Sequence, residues 1–430
     1  MAIYALERKQ WIQVFAAWTG WLLDGFTTIA YALVATTISK IFLPSSLQTL
    51  GLAIIFAGFA VEALARPIGS LIFGNYLGDK IGRKNMLSFT ILGFSIFAGL
   101  KGLLPTYDQV GLLALILLYI VLFIEGMFAG AEYGGGTVLA LESVPPESRG
   151  FIGSFVQSGF GTGYFLISFI FAGISALFPG NSFQNYGWRI FFLILFIPGI
   201  IAFILRVFAH ESPIFEELVK QKEIEKVPLF RLFRESYKSV LYGLLITTGL
   251  LFINTATFSF YPTIMSLLGY NNILIGTYLA IINFVSLLGV WFGGFISNYL
   301  KGRKKSLLIY SIMFVILVGP LTYIGYTSVS EYLLIAYSLQ AFLEAMIFAT
   351  LPSFLSETFS KKYRTTAVGF TYNGGAIVGS LAISIIFILS GTFGLLTSWI
   401  LMLYIASIVM LIGIILSRET WTSKEDYIKY

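Results

Sequence analysis

The sequence predicts an all-α integral membrane protein, with twelve transmembrane helices in two six-helix halves and both termini cytoplasmic. Composition is the first reason. Of 430 residues, 57% are hydrophobic and only 11% charged, and mean hydropathy is +0.86, whereas soluble domains carry about a quarter charged residues. The second reason is that apolar stretches of the roughly 20 residues needed to cross a bilayer recur along the whole chain. The third is that short polar motifs between spans of the first half return in the second half at a nearly fixed offset.

The first half, 1–208, holds spans at 11–39, 47–75, 86–104, 110–141, 150–178 and 188–208. A mixed-charge central loop, 209–238, follows. The second half, 239–417, holds spans at 239–268, 273–300, 306–327, 331–355, 365–391 and 394–417, and 418–430 forms a tail. Counting alternate loops, one side of the membrane collects nearly all of the 27 Lys and Arg. The exceptions are Lys40, Lys101, Arg189 and Arg66, the last inside a span. By the positive-inside rule that basic side is cytoplasmic, which explains the formal net charge of +6 without nucleic acid. The first apolar run is too long for a cleavable leader and is read as a span. Gly82-Arg83-Lys84 after span 2 recurs as Gly302-Arg303-Lys304 after span 8, and Glu142 and Arg149 recur as Glu357 and Arg364. Parallel repeats of this kind place a solute site between the halves near the midplane.

Several function classes drop out. There is no Cys and one His, His210, so thiol chemistry, disulfides and a multi-histidine metal site are excluded. No phosphate-binding G-x-x-x-x-G-K-[ST] loop occurs, which argues against an ATP-driven pump. Gly159-Phe160-Gly161-Thr162-Gly163 lies inside an apolar span, where glycines mean packing. No enzyme activity, cofactor or metal is expected.

Ionisable residues at membrane depth cost about 2.5–3.5 kcal/mol each on insertion scales, so each is a functional candidate. Asp24 lies mid-span on a stripe with Gly20, Thr27, Thr28 and Tyr31. Glu62 and Arg66 stand in the favourable i,i+4 order on span 2. Glu125 and Glu132 are seven apart on span 4, beside Gly126, Gly130 and Gly134, which allow close helix approach. Asp24, Glu62, Arg66 and Glu132 are the candidates for proton coupling; Glu125 is expected to face an extracellular funnel. Packing alone remains the alternative for each. At membrane depth Glu344 is the second half's only clear ion. Asn254, Tyr261, Asn283, Gln340, Glu344 and Asn373, with Tyr31 and Gln157 from the first half, are candidate solute contacts or helix ties. Asp79, Gly82, Arg83, Lys84, Glu142 and Arg149, with Arg303, Glu357 and Arg364, form a candidate cytoplasmic gate. Asn298 takes the place of an aspartate in the second repeat, which predicts a weaker gate there.

The segment Ala65–Leu87, with its R-P-x-G-x-x-x-F-G lead-in and G-D-K-I-G-R-K loop, resembles the major facilitator superfamily, and more narrowly its metabolite:proton symporter branch. G-A-E-Y-G-G (130–135), E-S-V-P-P-E-S-R-G (142–150), G-W-R (187–189) and E-S-P-I-F (211–215) extend the resemblance over about 60–216. The resemblance implies proton-coupled symport by alternating access, gives Arg66 and Glu132 functional weight, and points to organic acids or zwitterions. Thr27 and Leu122 stand where the branch often has a second acid and an Arg, which favours a monocarboxylate, a zwitterion or a neutral sugar over a tricarboxylate. Sugar porters share the loop signatures, so a sugar is the runner-up. A facilitator, a sodium-coupled carrier and a non-transporting sensor stay as alternatives. The expected partners are a small solute, protons and the lipid of the plasma membrane, with a monomer sufficient.

Overall fold

The computed structural model describes residues 6–70, 72–73, 83–130, 133–207, 228–328, 330–360 and 363–421. Among them every long element is a helix. We number the longer helices α1 (Arg8–Leu33), α2 (Ala35–Phe42), α3 (Gln48–Gly69), α4 (Arg83–Leu100), α5 (Leu113–Ala129), α6 (Arg149–Leu177), α7 (Trp188–Leu193) and α8 (Phe196–Val207). The second half contains α9 (Pro228–Thr257), α10 (Tyr261–Leu267), α11 (Asn272–Tyr299) and α12 (Arg303–Thr327). It ends with α13 (Ser330–Thr358), α14 (Arg364–Gly379), α15 (Ala382–Phe393) and α16 (Leu395–Leu416).

Ten helices among the described residues are long and apolar enough to span a membrane, and the pair α1–α2, bent by 58°, makes an eleventh. The expected fourth span is the remaining one. With 17 residues α5 falls short on length, at about 1.5 Å per residue. The chain then continues, past residues 131–132, as a wider π-type turn at Tyr133–Thr137 and a short helix at Val138–Glu142. The expected central loop is also shorter than its composition implies. Pro228 opens α9 eleven residues before the expected start of the span at 239, in the first-turn position where its missing N–H costs nothing. Leu232 is buried and Phe233 meets Phe370 edge-on at 5.3 Å, so this end of the segment has apolar partners that a loop would lack. Ser236 kinks the helix where the expected span starts.

The halves meet mainly along α6 and α11, with α3 against α15 and α14 against the Tyr133–Thr137 turn. Within the first half, α1 packs on α6 and α3 on α5. The outer faces carry exposed apolar side chains such as Phe169, Ile316, Ile335 and Ile388, as lipid-facing surfaces require. The interior instead buries polar groups, and these define the site.

Candidate functional site

A cavity of about 80 Å³ lies between the halves, and a second of about 40 Å³ adjoins it. Phe160, Asn254 and Tyr372 line both. The wall from the first half is ionic. α1 contributes Asp24 and Thr28, and α3 contributes Glu62 and Arg66. Arg66 Nη2 lies 2.9 Å from Asp24 Oδ1 and 2.8 Å from Glu62 Oε1. Its Nε donates to the same Glu62 oxygen at 3.3 Å. All three side chains are 7–12% exposed, so their exposed edge is the cavity itself. One guanidinium thus serves two carboxylates, and the cluster has more acid than base. Removing one member would strand the others in a low-dielectric setting.

The glycines of α5 set this geometry. A Cβ on Gly126 would overlap the Glu62 carbonyl oxygen, and one on Gly130, just past the end of α5, that of Arg66. The small-residue ridge therefore packs on the backbone of the two residues whose side chains reach Asp24. Thr27, on the same stripe, is turned away and donates to the Leu23 carbonyl.

The opposite wall is neutral. Asn254 and Thr255 come from α9 and Tyr372 and Ala376 from α14, with Ser259 and Ser380 just past the ends of these two helices. The smaller lobe adds Gln157, Asn283 and Ser286. Gln157 Oε1 and Asn283 Oδ1 are buried with no hydrogen-bond partner, and unpaired buried acceptors beside a cavity are what an incoming donor would satisfy.

Of the residues expected from sequence, Asp24, Glu62, Arg66, Gln157, Asn254 and Asn283 converge on this cavity. The others lie elsewhere. Tyr31 is buried, its hydroxyl donating to Ile55 O at 2.6 Å. Tyr261 stacks on Tyr337 with centroids 4.4 Å apart. Gln340 donates to Thr322 at 3.3 Å. Asn373 donates to Gly130 O at 3.1 Å, tying the halves together. Glu344 stands behind Asn254, which donates to it at 3.0 Å. Glu132 lies outside the described residues. The expected exposure of Glu125 to a funnel is corrected: Lys101 Nζ reaches both its oxygens, at 3.0 and 2.8 Å, with the two side chains 1–2% exposed. Tyr372 and Phe160 were missed. Tyr372 adjoins the candidate Asn373, and Phe160 lies among the α6 glycines already noted.

At the basic end, Arg364 on α14 pairs with Glu142 of the first half at 3.1 Å. Arg303 pairs with Glu357 at 3.3 Å and donates to Ser297 and Asn298 at 3.2 and 3.0 Å. Asn298 therefore accepts from Arg303 at the place where the first repeat has an aspartate. Glu419 caps α12, accepting from the backbone N–H of Arg303, Lys304 and Lys305, and the Trp421 ring covers the Arg303 guanidinium at 4.6 Å. Arg149 donates to Leu141 O at 3.0 Å. Asp79 and Gly82 lie outside the described residues, as do the side chains of Arg83 and Lys84.

Two repeated halves, a cavity between them with one ionic and one amide wall, and an ion pair joining the halves at one end define a membrane transporter. The sequence profile of the Major Facilitator Superfamily matches residues 14–383, and the chain belongs to that family. It is 32% identical over 421 residues to the inner membrane metabolite transport protein YhjE of Escherichia coli K12, covering 94% of this chain and 93% of that one. The ectoine/proline transporter ProP of Corynebacterium glutamicum is 30% identical, over 80% of this chain and 71% of that protein. The proline/betaine transporter of Escherichia coli K12 is 36% identical over 210 residues, which is 49% of this chain and 42% of that protein. The Escherichia coli xylose transporter XylE, in a partially occluded inward-open conformation, superimposes with a TM-score of 0.76 over 97% of this chain and 100% of that one. At 17% identity the superposition speaks for the fold alone. The chain is a multi-pass transporter of the plasma membrane, not an enzyme.

Proposed function

We propose that this protein is a proton-coupled symporter of a small zwitterion or monocarboxylate, working by alternating access with twelve spans and both termini in the cytoplasm. The observation that carries the reading is Arg66 held at once by Asp24 and Glu62 on the cavity wall. With both carboxylates ionised the cluster is net anionic and repels a solute carboxylate. A proton on either acid frees part of the guanidinium, which can then accept a carboxylate bidentately. Solute and proton thus favour each other's binding, as symport requires. The amide wall would receive the solute's other end. Relatives named for proline, betaine and ectoine support a zwitterion.

The test is solute-triggered proton uptake in proteoliposomes carrying an internal pH dye, across monocarboxylates, dicarboxylates, amino acids and sugars. We expect a zwitterion or monocarboxylate to acidify the lumen and Asp24→Asn to abolish that signal. Equilibration of labelled solute without proton movement would sink the symport reading in favour of a facilitator. A sugar is the second reading, favoured by the three amides of the smaller lobe. It predicts transport that survives Arg66→Gln, whereas carboxylate transport would be lost.

A further inference from the structure

Glu344 is a buried carboxyl that the mechanism above leaves unused. It lies on α13 with 0% of its surface exposed and does not line the cavity. No Lys or Arg pairs with it among the described residues. Its partners are two neutral side chains of α9: Asn254 Nδ2 donates to Oε1 at 3.0 Å, and Thr257 Oγ1 to Oε2 at 2.7 Å. With Oε2 engaged by Thr257, Oε1 accepts whether the carboxyl is charged or neutral, and it fixes which end of the Asn254 amide faces it. The nitrogen is taken, and the carbonyl oxygen is left for the cavity. Asn283 is oriented the same way by other means, its Nδ2 donating to Leu279 O at 2.8 Å. Its oxygen and that of Gln157 are buried and unpartnered. Ser286 spends its hydrogen on Asn283 O at 2.8 Å.

We propose that Glu344 is a positioning residue that holds Asn254 with its oxygen toward the solute, so that this wall offers an acceptor to solutes bearing N–H or O–H donors. The inference rests on the solute binding in this cavity, as proposed above. It adds a direction to the pose: carboxylate toward Arg66, protic end toward Asn254, Asn283 and Gln157.

The experiment uses the full chain in proteoliposomes and the glycine methylation series, from glycine to its N,N,N-trimethyl derivative, which keeps one carboxylate while removing every N–H. The wild type should bind the N–H-bearing members more tightly than the trimethyl member. Glu344→Met removes both acceptors at similar volume and lets the amide turn over. KM for the N–H-bearing members should rise about fivefold to tenfold, the worth of one typical hydrogen bond, with kcat and the trimethyl member nearly unchanged. Glu344→Gln should retain the preference. Its Oε1 can accept from Asn254 and its Nε2 can donate to Thr257, whose own hydroxyl can turn to Ile253 O at 2.8 Å. Asn254→Leu should abolish the preference by itself, which tests the assignment even if Glu344→Met fails to fold. Equal loss for all members in Glu344→Met, or a preference that persists in Asn254→Leu, overturns the assignment while leaving the transport reading intact. Failure of every member to bind the wild type overturns both.

Discussion

Lys101 and Glu125 show what single residues must do to survive inside a membrane. Each alone would be expensive there. Together they make two short contacts in a site closed by Tyr31 and Phe192, whose rings lie 5.8 and 5.4 Å from the ammonium. Removing one partner of a buried pair leaves the other charge uncompensated, while replacing both with apolar groups can be neutral. Lys101→Met should therefore destabilise the protein by about 3–5 kcal/mol, and Lys101→Met with Glu125→Leu should recover most of it. Thermal unfolding of the two single variants and the double variant in detergent measures this, and additive losses would contradict the pairing. The pair was not legible in the sequence. Lys101 ends an apolar run before Gly-Leu-Leu-Pro and reads as a loop cation, and Glu125 shows only its spacing to Glu132. Depth can be read from hydropathy along the chain, but a partner on another helix cannot. Arg66 and Glu62 were legible because they share one helix; Asp24, on another helix, was legible as an ion at depth but not as their third member.

Between helices, spacing carries the site. Gly126 seats α5 on the backbone of Glu62, so Gly126→Ala forces a methyl against a carbonyl oxygen that has no room to yield. Overpacking of this kind costs about 1–3 kcal/mol. The shift should part α3 from α5 and move Glu62 and Arg66 away from Asp24. We expect proton-coupled uptake to fall more steeply than the unfolding temperature, and a variant with unchanged uptake would show that α3 tolerates the displacement. The small-residue ridge was visible in the sequence as a packing device, but not that its partner was the element bearing the acids. The other end of the chain offers a pH test. Glu419 is partly buried, which opposes its charge, yet backbone N–H groups of Trp421, Lys305, Lys304 and Arg303 outweigh burial and hold its carboxyl below the usual glutamate range. Negative charge at a helix N-terminus is favourable for the same reason. A depressed folded-state pKa contributes stability above the unfolded value, near 4.3, and loses it as pH falls through the folded value. Glu419→Gln should therefore lower the unfolding temperature at neutral pH. The gap to wild type should narrow as pH drops below about 4, and a gap independent of pH would mean the cap acts by shape alone.

At the scale of the whole molecule, the repeat explains both what the sequence revealed and what it hid. Matching loop motifs in the two halves pointed to two six-span units with a site between them. By the same logic Glu142 should serve its own half as Glu357 serves Arg303. Among the described residues the structure pairs Glu142 with Arg364 across the halves at 3.1 Å, the side chains 4% and 7% exposed. The repeat supplies the charges, and the docking of one half on the other decides the partners. A contact that crosses the halves is the kind that alternating access must break. Glu142→Gln removes the charge but leaves Arg364 its bond to Phe359 O at 3.2 Å, so the loss should be partial, about 1–2 kcal/mol. That shifts the population of the state open at the basic end by about tenfold. The chain has no Cys, so two introduced cysteines flanking the gate, one per half, can be spin-labelled without background. Their distance distribution should gain a longer component in Glu142→Gln and revert toward the parent in Glu142→Arg with Arg364→Glu. An unchanged distribution in Glu142→Gln would remove this pair from the gate and leave the closing of that end to Arg303 and the helices packed around it.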